Sequence, residues 1–145
     1  MPRPAEEPIG GEEVHARLQV AVGKEGPVRI VTAAGELDHD TADELRRALA
    51  LPVDNGIRRI LVDFGDLQFC DSTGLNLLLR ARLDAEAAGL SLEVADLQPA
   101  VARLFAITGV DTVMRIHPDR GAALKVPDAG PGDEQGPPPA TADEA

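Results

Sequence analysis

Apolar residues recur with two different periods along the middle of the chain. Spacing of two residues from Val14 to Val22 predicts a strand. Turn residues at 24–27 lead from it to a second apolar run, Val28–Thr32, so these two strands are predicted to form an antiparallel hairpin. The further strands that apolar runs predict are Ile57–Val62, Leu90–Val94 and, at an edge, Val113–Ile116.

Spacing of three and four residues predicts helices between these strands. Thr41 and Glu44 fit a capping box at the start of the first helix. Gly89 closes the second helix and Gly109 the third. The four predicted helices begin near Thr41, Asp71, Pro99 and Asp119. Because strands separated by helices pair in parallel, the fold class is α/β: a mixed sheet of four to five strands flanked by about four helices, with only the opening hairpin antiparallel.

Composition divides the chain into three parts. Residues 1–12 are rich in Pro, Gly and Glu and are predicted to be a flexible N-terminal segment. Residues 127–145 have almost no large apolar side chain, so burial cannot offset the entropy of ordering them, and we expect a disordered Pro/Gly/acidic tail. A single domain is therefore expected over 13–126.

The formal net charge is −11, and most of it lies in the two terminal parts. No basic stripe with interleaved aromatic residues is present, which disfavours direct nucleic-acid binding. The pairs Arg46-Arg47 and Arg58-Arg59 are interpreted as solvated surface. No apolar run approaches the roughly 18–20 residues that span a bilayer, and no signal-peptide core is visible. We therefore expect a cytoplasmic protein without membrane partners.

The residues that most often bind metals are sparse. Cys70 is the one cysteine, which excludes an intramolecular disulfide and a multi-cysteine metal site. It is expected to be a buried, small apolar residue. The histidines His15, His39 and His117 show no ligand spacing. The sequence therefore predicts no metal and no cofactor.

The most informative residues are Asp71, Ser72 and Thr73, which fall where a strand passes into a helix. Unpaired N–H groups and the helix dipole favour an anion at such a position. The Ser72 hydroxyl has three interpretations: a helix N-cap (Asp71 being the other candidate cap), a nucleophile, or a phosphorylation site. A hydrolase nucleophile is disfavoured because the elbow motif needs glycine where Cys70 stands.

Three stretches of sequence together resemble a known family. They are GELDHDTADEL (35–45), DLQFCDSTGLNLLL (66–79) and QPAVARLFAITGV (98–110). In this order they resemble the STAS-domain family of bacterial anti-sigma-factor antagonists, over 13–126. The resemblance implies a STAS-type fold and matches Ser72 to the family's phosphoacceptor. Thr73, where the family often has serine, is the less favoured second hydroxyl.

The resemblance also implies a function. In that family the unphosphorylated antagonist binds an anti-sigma factor, itself an ATP-dependent serine kinase, and so releases the sigma factor. Phosphorylation, here at Ser72, ends the binding, and a serine phosphatase restores it. The protein would then not be an enzyme. Two alternatives stay open: a STAS module of a signalling scaffold or one that binds a small ligand without phosphorylation, and a small serine hydrolase using Ser72.

A partner surface is implied around the phosphoacceptor. The resemblance places Asp38 beside it, although Asp38 is equally interpretable as a cap for the helix that begins near Thr41. Leu77 and Ala81 fall off the apolar stripe of their helix, either as partner contacts or as scattered exposed apolar residues. The predicted partner-binding residues are Asp38, Asp71, Ser72, Thr73, Gly74, Asn76, Leu77 and Arg80.

Overall fold

The computed structural model describes residues 7–9 and 17–126. Its strands are β1 Glu7–Ile9, β2 Leu18–Glu25, β3 Val28–Leu37, β4 Arg59–Asp63, β5 Leu67–Cys70, β6 Ser91–Ala95 and β7 Ile116–His117. Its helices are α1 Ala42–Leu49, α2 Ser72–Ala87, α3 Pro99–Thr108 and α4 Arg120–Lys125, with a short 3₁₀ turn at Val110–Thr112. The predictions for residues 14–16 and for the tail 127–145 lie outside the described residues.

The described strands form one mixed sheet in the order β1-β2-β3-β4-β6-β7, with β5 also pairing with β3. The predicted α/β class, its mixed sheet and its β2–β3 hairpin are confirmed. The expectation of a single antiparallel pair is wrong, because β1 also pairs antiparallel with β2. Seven strands in the described part exceed the four to five predicted: β1 lies inside the segment expected to be flexible, and β5 has only four residues.

Strand β3 is the longest in the sheet and positions the later elements. It extends to Leu37, beyond the predicted end at Thr32. Its first half pairs with β4 and its last three residues pair with β5, both in parallel. At the first of these last three residues, Gly35 has φ +109°, and a Cβ there would collide with the Arg17 carbonyl oxygen. Glycine at this position lets the β2–β3 hairpin close tightly where β5 takes over from β4.

The core lies on both faces of the sheet. Helices α1, α2 and α3 cover one face, and their main cluster includes the fully buried Phe64 and Phe105. Helix α4 covers a smaller cluster on the other face, which consists of Val28, Ile30, Leu61, Ala95 and Ala123. All five residues of β4 are buried, which explains its nearly continuous apolar sequence. No helix in the described part of the chain has the length and apolar character required to cross a membrane.

A buried polar cluster fixes α4 to the sheet. Arg59, only 3% exposed, donates to Glu93 at 2.6 Å and to the Ala123 carbonyl at 2.9 Å. His117 Nε2 lies 2.8 Å from Glu93 Oε1. Burial alone would raise the pKa of Glu93, but hydrogen bonds with His117 and Arg59 outweigh burial and lower this pKa to about 2. The interpretation of Arg59 as solvated surface is therefore wrong, because the side chain is paired inside the fold.

Candidate functional site

Ser72 is the first residue of α2 and is exposed. The helix is capped by Asp71, whose carboxylate accepts the N–H of Thr73 at 3.0 Å and of Gly74 at 3.3 Å. The interpretation of Ser72 as the N-cap is therefore wrong, and the cap is Asp71. A nucleophilic serine needs a base in hydrogen-bond contact. Within residues 7–9 and 17–126, neither a histidine nor any other group hydrogen-bonds to the Ser72 hydroxyl, so this hydroxyl faces solvent.

The strand register brings Asp38 to the same edge of the sheet as Asp71. Leu37 pairs with Cys70 in the parallel β3–β5 ladder, and the two aspartates directly follow this pair. The Asp71 N–H donates to the Leu37 carbonyl at 3.2 Å. Two segments far apart in sequence, the β3–α1 loop and the start of α2, therefore lie side by side, as the resemblance implies.

Hydrogen bonds inside the β3–α1 loop fix the position of Asp38. Its Oδ1 accepts the N–H of Asp40 at 2.9 Å and of Thr41 at 3.2 Å. The Thr41 hydroxyl donates to the Glu36 carbonyl at 2.8 Å and accepts the Asp38 N–H at 2.9 Å. The predicted Thr41–Glu44 capping box is therefore wrong, because the Thr41 side chain is occupied by the loop and makes no cap hydrogen bond. Asp38 instead organises the turn that leads into α1.

Arg17, which the sequence analysis did not single out, completes this edge of the sheet. Its guanidinium lies 2.5 Å from Asp38, 3.1 Å from Glu36 and 3.3 Å from Asp40. Hydrogen bonding from Arg17 is the main cause that holds the pKa of Asp38 below its usual range. No motif marks Arg17 in the sequence. Only the β2–β3 register, which pairs Leu18 with Gly35, shows that Arg17 lies next to this loop.

Gly74 is buried where α2 crosses the end of β3. A Cβ at this position would lie 2.8 Å from Cys70 Sγ and from two side-chain carbons of Leu37. Gly74 therefore allows the close packing that places Ser72, and any contact with a partner stays a prediction.

Cys70 is buried, which confirms its predicted role as a small apolar residue. Burial, followed by the charge of Asp71, raises the pKa of the Cys70 thiol to about 12.

The other predicted partner residues lie along α2. Asn76 and Arg80 are exposed, whereas Leu77 and Ala81 are half-buried and pack against the main core. Leu77, Arg80 and Ala81 also line an apolar groove of about 400 Å³ between α1 and α2. Leu77 and Ala81 are thus neither core residues nor isolated exposed ones. Their contact with a partner stays a prediction.

The described part of the chain contains no group of three His, Cys, Asp or Glu side chains arranged to hold a metal ion. His117 is used in the buried cluster with Glu93, and His39 is exposed in the β3–α1 loop. His15 lies outside the described residues.

Comparison with known proteins identifies relatives of this chain. A family model described as "Mlab, STAS domain" matches residues 20–116. The anti-sigma F factor antagonist of Paenibacillus polymyxa is 33% identical over 112 residues, covering 74% of this chain and 92% of that protein. The anti-sigma-B factor antagonist of Staphylococcus aureus is 31% identical over 87 residues, covering 60% of this chain and 81% of that protein.

A solved structure shows the same architecture. The crystal structure of an anti-sigma factor antagonist from Mycobacterium paratuberculosis superimposes with a TM-score of 0.64 at 25% sequence identity, covering 74% of this chain and 92% of that chain. The match of the family model, the two relatives and the shared fold agree with the motifs at 35–45, 66–79 and 98–110. The chain therefore belongs to the STAS domain family.

Proposed function

We propose that this protein is an anti-sigma-factor antagonist whose unphosphorylated form binds an anti-sigma-factor serine kinase and so releases a sigma factor. Membership of the STAS family and the names of two relatives support this proposal. The main structural observation in favour of this proposal concerns two neighbouring residues at the start of α2. Asp71 caps the helix, while the Ser72 hydroxyl is exposed and unengaged within the described residues.

Phosphorylation of Ser72 supplies the switch. A phosphoserine adds about −1.5 to −2 charges, and the N-terminus of α2 accommodates them, so the domain stays folded. The same charge enters the surface that a partner must cover, next to Asp38 and Asp71. There it adds repulsion and a desolvation cost to the complex. A serine phosphatase that removes the phosphate restores binding, and all of these partners act in the cytoplasm.

The proposed partner surface combines two elements. The start of α2 contributes Ser72 and Thr73. Further along the helix, the exposed Asn76 and Arg80 and the half-buried Leu77 contribute. The β3–α1 loop contributes Asp38 beside them. Asp71 and Gly74 support this surface through the helix cap and the close packing against β3.

Phosphate transfer tests the residue assignment. The protein is incubated with the cognate anti-sigma factor and ATP, and the phosphate is located by peptide mass spectrometry. We expect one phosphate on Ser72, none on Ser72→Ala, and a full reaction of the control Thr73→Ala. Phosphate on Thr73 alone would refute the assignment. No transfer at all would favour the alternative of a scaffold or ligand-binding module.

Binding to the anti-sigma factor tests the switch itself. Calorimetry should give Ser72→Ala the affinity of the unphosphorylated protein. Ser72→Asp should bind at least about tenfold more weakly, because like charge at an interface costs more than 1 kcal/mol. Ser72→Asn, which is similar in size to Asp but neutral, separates charge from bulk. Equal affinity of the unphosphorylated protein and all three variants would refute the switch model.

A further inference from the structure

Arg17 lies two strands away from β5, level with Phe69 and three residues before Ser72 along the chain direction. At this edge of the sheet Arg17 precedes β2, β3 follows as the next strand, and β5 leads into Ser72. Neighbouring strands are about 4.8 Å apart, so the backbones of Arg17 and β5 are separated by roughly 10 Å. The guanidinium already crosses part of this distance, because it contacts Asp38 beyond the end of β3 at 2.5 Å. Asp38 directly follows β3, which is the strand between Arg17 and β5.

The present partners of Arg17 hold it loosely. The side chains of Glu36 and Asp40 are 50% and 75% exposed, and Arg17 itself is 44% exposed. Solvent screens exposed ion pairs of this kind, so each one holds the guanidinium only weakly. Asp38 is less exposed, but its Oδ1 keeps two backbone hydrogen bonds that do not involve Arg17. The loop can therefore keep its shape when the guanidinium turns away.

We infer that Arg17 is the internal receptor for a phosphate on Ser72. On phosphorylation, its guanidinium moves from the three carboxylates to the phosphoserine. A phosphate carries about twice the charge of a carboxylate and offers oxygens that an arginine binds with two parallel hydrogen bonds. This inference rests on the proposed function, since it requires phosphate at Ser72.

The movement enlarges the change in charge. Phosphorylation alone places a dianion at Ser72. When Arg17 turns toward it, Glu36, Asp38 and Asp40 also lose their shared cation. The surface that a partner covers then becomes more negative over the whole β3–α1 loop, and not only at the modified residue. Arg17 is thus a positioning residue that spreads one modification over two elements.

The test uses full-length protein with phosphoserine placed at position 72 by codon suppression, so that no kinase is needed. Phosphorus NMR measures the second pKa of the phosphoserine in the wild-type background and in Arg17→Gln. Without the guanidinium this pKa should rise by about one unit, the effect of losing one opposite charge within 4–6 Å. Arg82→Gln is the control, because it removes the same charge from α2 ten residues beyond Ser72. It should leave the pKa unchanged.

His39 is exposed in the same loop, and its imidazole is a second nitrogen group that can reach a phosphate there. The titration is therefore repeated in His39→Gln. An unchanged pKa in Arg17→Gln, or a rise only in His39→Gln, would overturn the assignment of Arg17. Failure of a kinase to phosphorylate Ser72 would instead count against the proposed function. The NMR titration does not depend on that outcome, because codon suppression installs the phosphoserine without a kinase.

Discussion

Gly74 stands where α2 passes closest to the end of β3, and it leaves no room for a side chain. Replacing Gly74 with Ala puts a methyl group 2.8 Å from Cys70 and Leu37, so the helix must shift. We expect Gly74→Ala to lower the free energy of unfolding by about 1–3 kcal/mol, measured by urea denaturation. The control is Gly121→Ala in α4, where the nearest atom is 3.4 Å away and alanine favours the helix. Equal stability of both variants would refute close packing at Gly74.

Glu93 should make stability depend on acid. Its pKa in the folded protein is about 2, below the ordinary 4.5, so its contribution is complete above about pH 4.5 and is lost as the pH falls toward 2. The shift corresponds to about 3 kcal/mol. Guanidinium unfolding measured from pH 5 to pH 2 should show this loss in the wild type and in exposed Glu86→Gln. In Glu93→Gln this loss of unfolding free energy between pH 5 and pH 2 should be absent. The same loss in Glu93→Gln as in the wild type would show that Glu93 does not cause it.

At the scale of elements, two neighbouring residues at the start of α2 have different roles: Asp71 stabilises the helix, and Ser72 is the proposed phosphorylation site. Asp71→Ala removes the helix cap and should cost about 1 kcal/mol of folding free energy. Ser72→Ala removes no hydrogen bond seen in the described residues and should stay within about 0.5 kcal/mol of the wild type. Thermal unfolding of the two variants side by side measures the difference. A larger loss from Ser72→Ala than from Asp71→Ala would show that the cap is assigned to the wrong residue.

Helices with caps and glycine ends were predictable from sequence, whereas irregular pairing was not. Pro99 at the start of α3 and Gly109 after its end are found as predicted, with φ +81° at Gly109. β5 was missed because its four residues are too few to show a clear hydrophobic period. The capping box at Thr41 failed because the end of β3 captures its hydroxyl, a tertiary contact that local sequence does not report.

For the molecule as a whole, we predict that the terminal tail adds charge but little stability. Removing 127–145 takes away five acidic residues. It should change the free energy of unfolding by less than about 0.5 kcal/mol, because the tail has almost no large apolar side chain. A chain ending at residue 118 should lose at least about 3 kcal/mol, since it also uncovers the apolar cluster under α4 and removes acceptors of Arg59. Equal urea midpoints of the two truncated chains would contradict this prediction.

The candidate site was predictable only where a motif marks it. Asp38 lies inside the motif at 35–45, and Asp71-Ser-Thr-Gly74 lies inside the motif at 66–79. The parallel register of β3 and β5 brings these two motifs together. Arg17 and Arg59 gave no such signal. Strand pairing brings Arg17 to Glu36 across 19 residues of chain and Arg59 to Glu93 across 34 residues. Arg58, the neighbour of Arg59, is also an arginine, so residue type alone does not tell which of the two is buried.

Because Asp71 caps the helix, the exposed Ser72 side chain makes no hydrogen bond within the described residues. An enzyme that adds or removes phosphate at such a residue does not have to wait for the helix to fray or a loop to open. The time constant of the proposed switch is then set by the amounts of kinase and phosphatase and by how often each meets the domain. A cell can retune the duration of the response by changing those two enzymes, with no change in the antagonist.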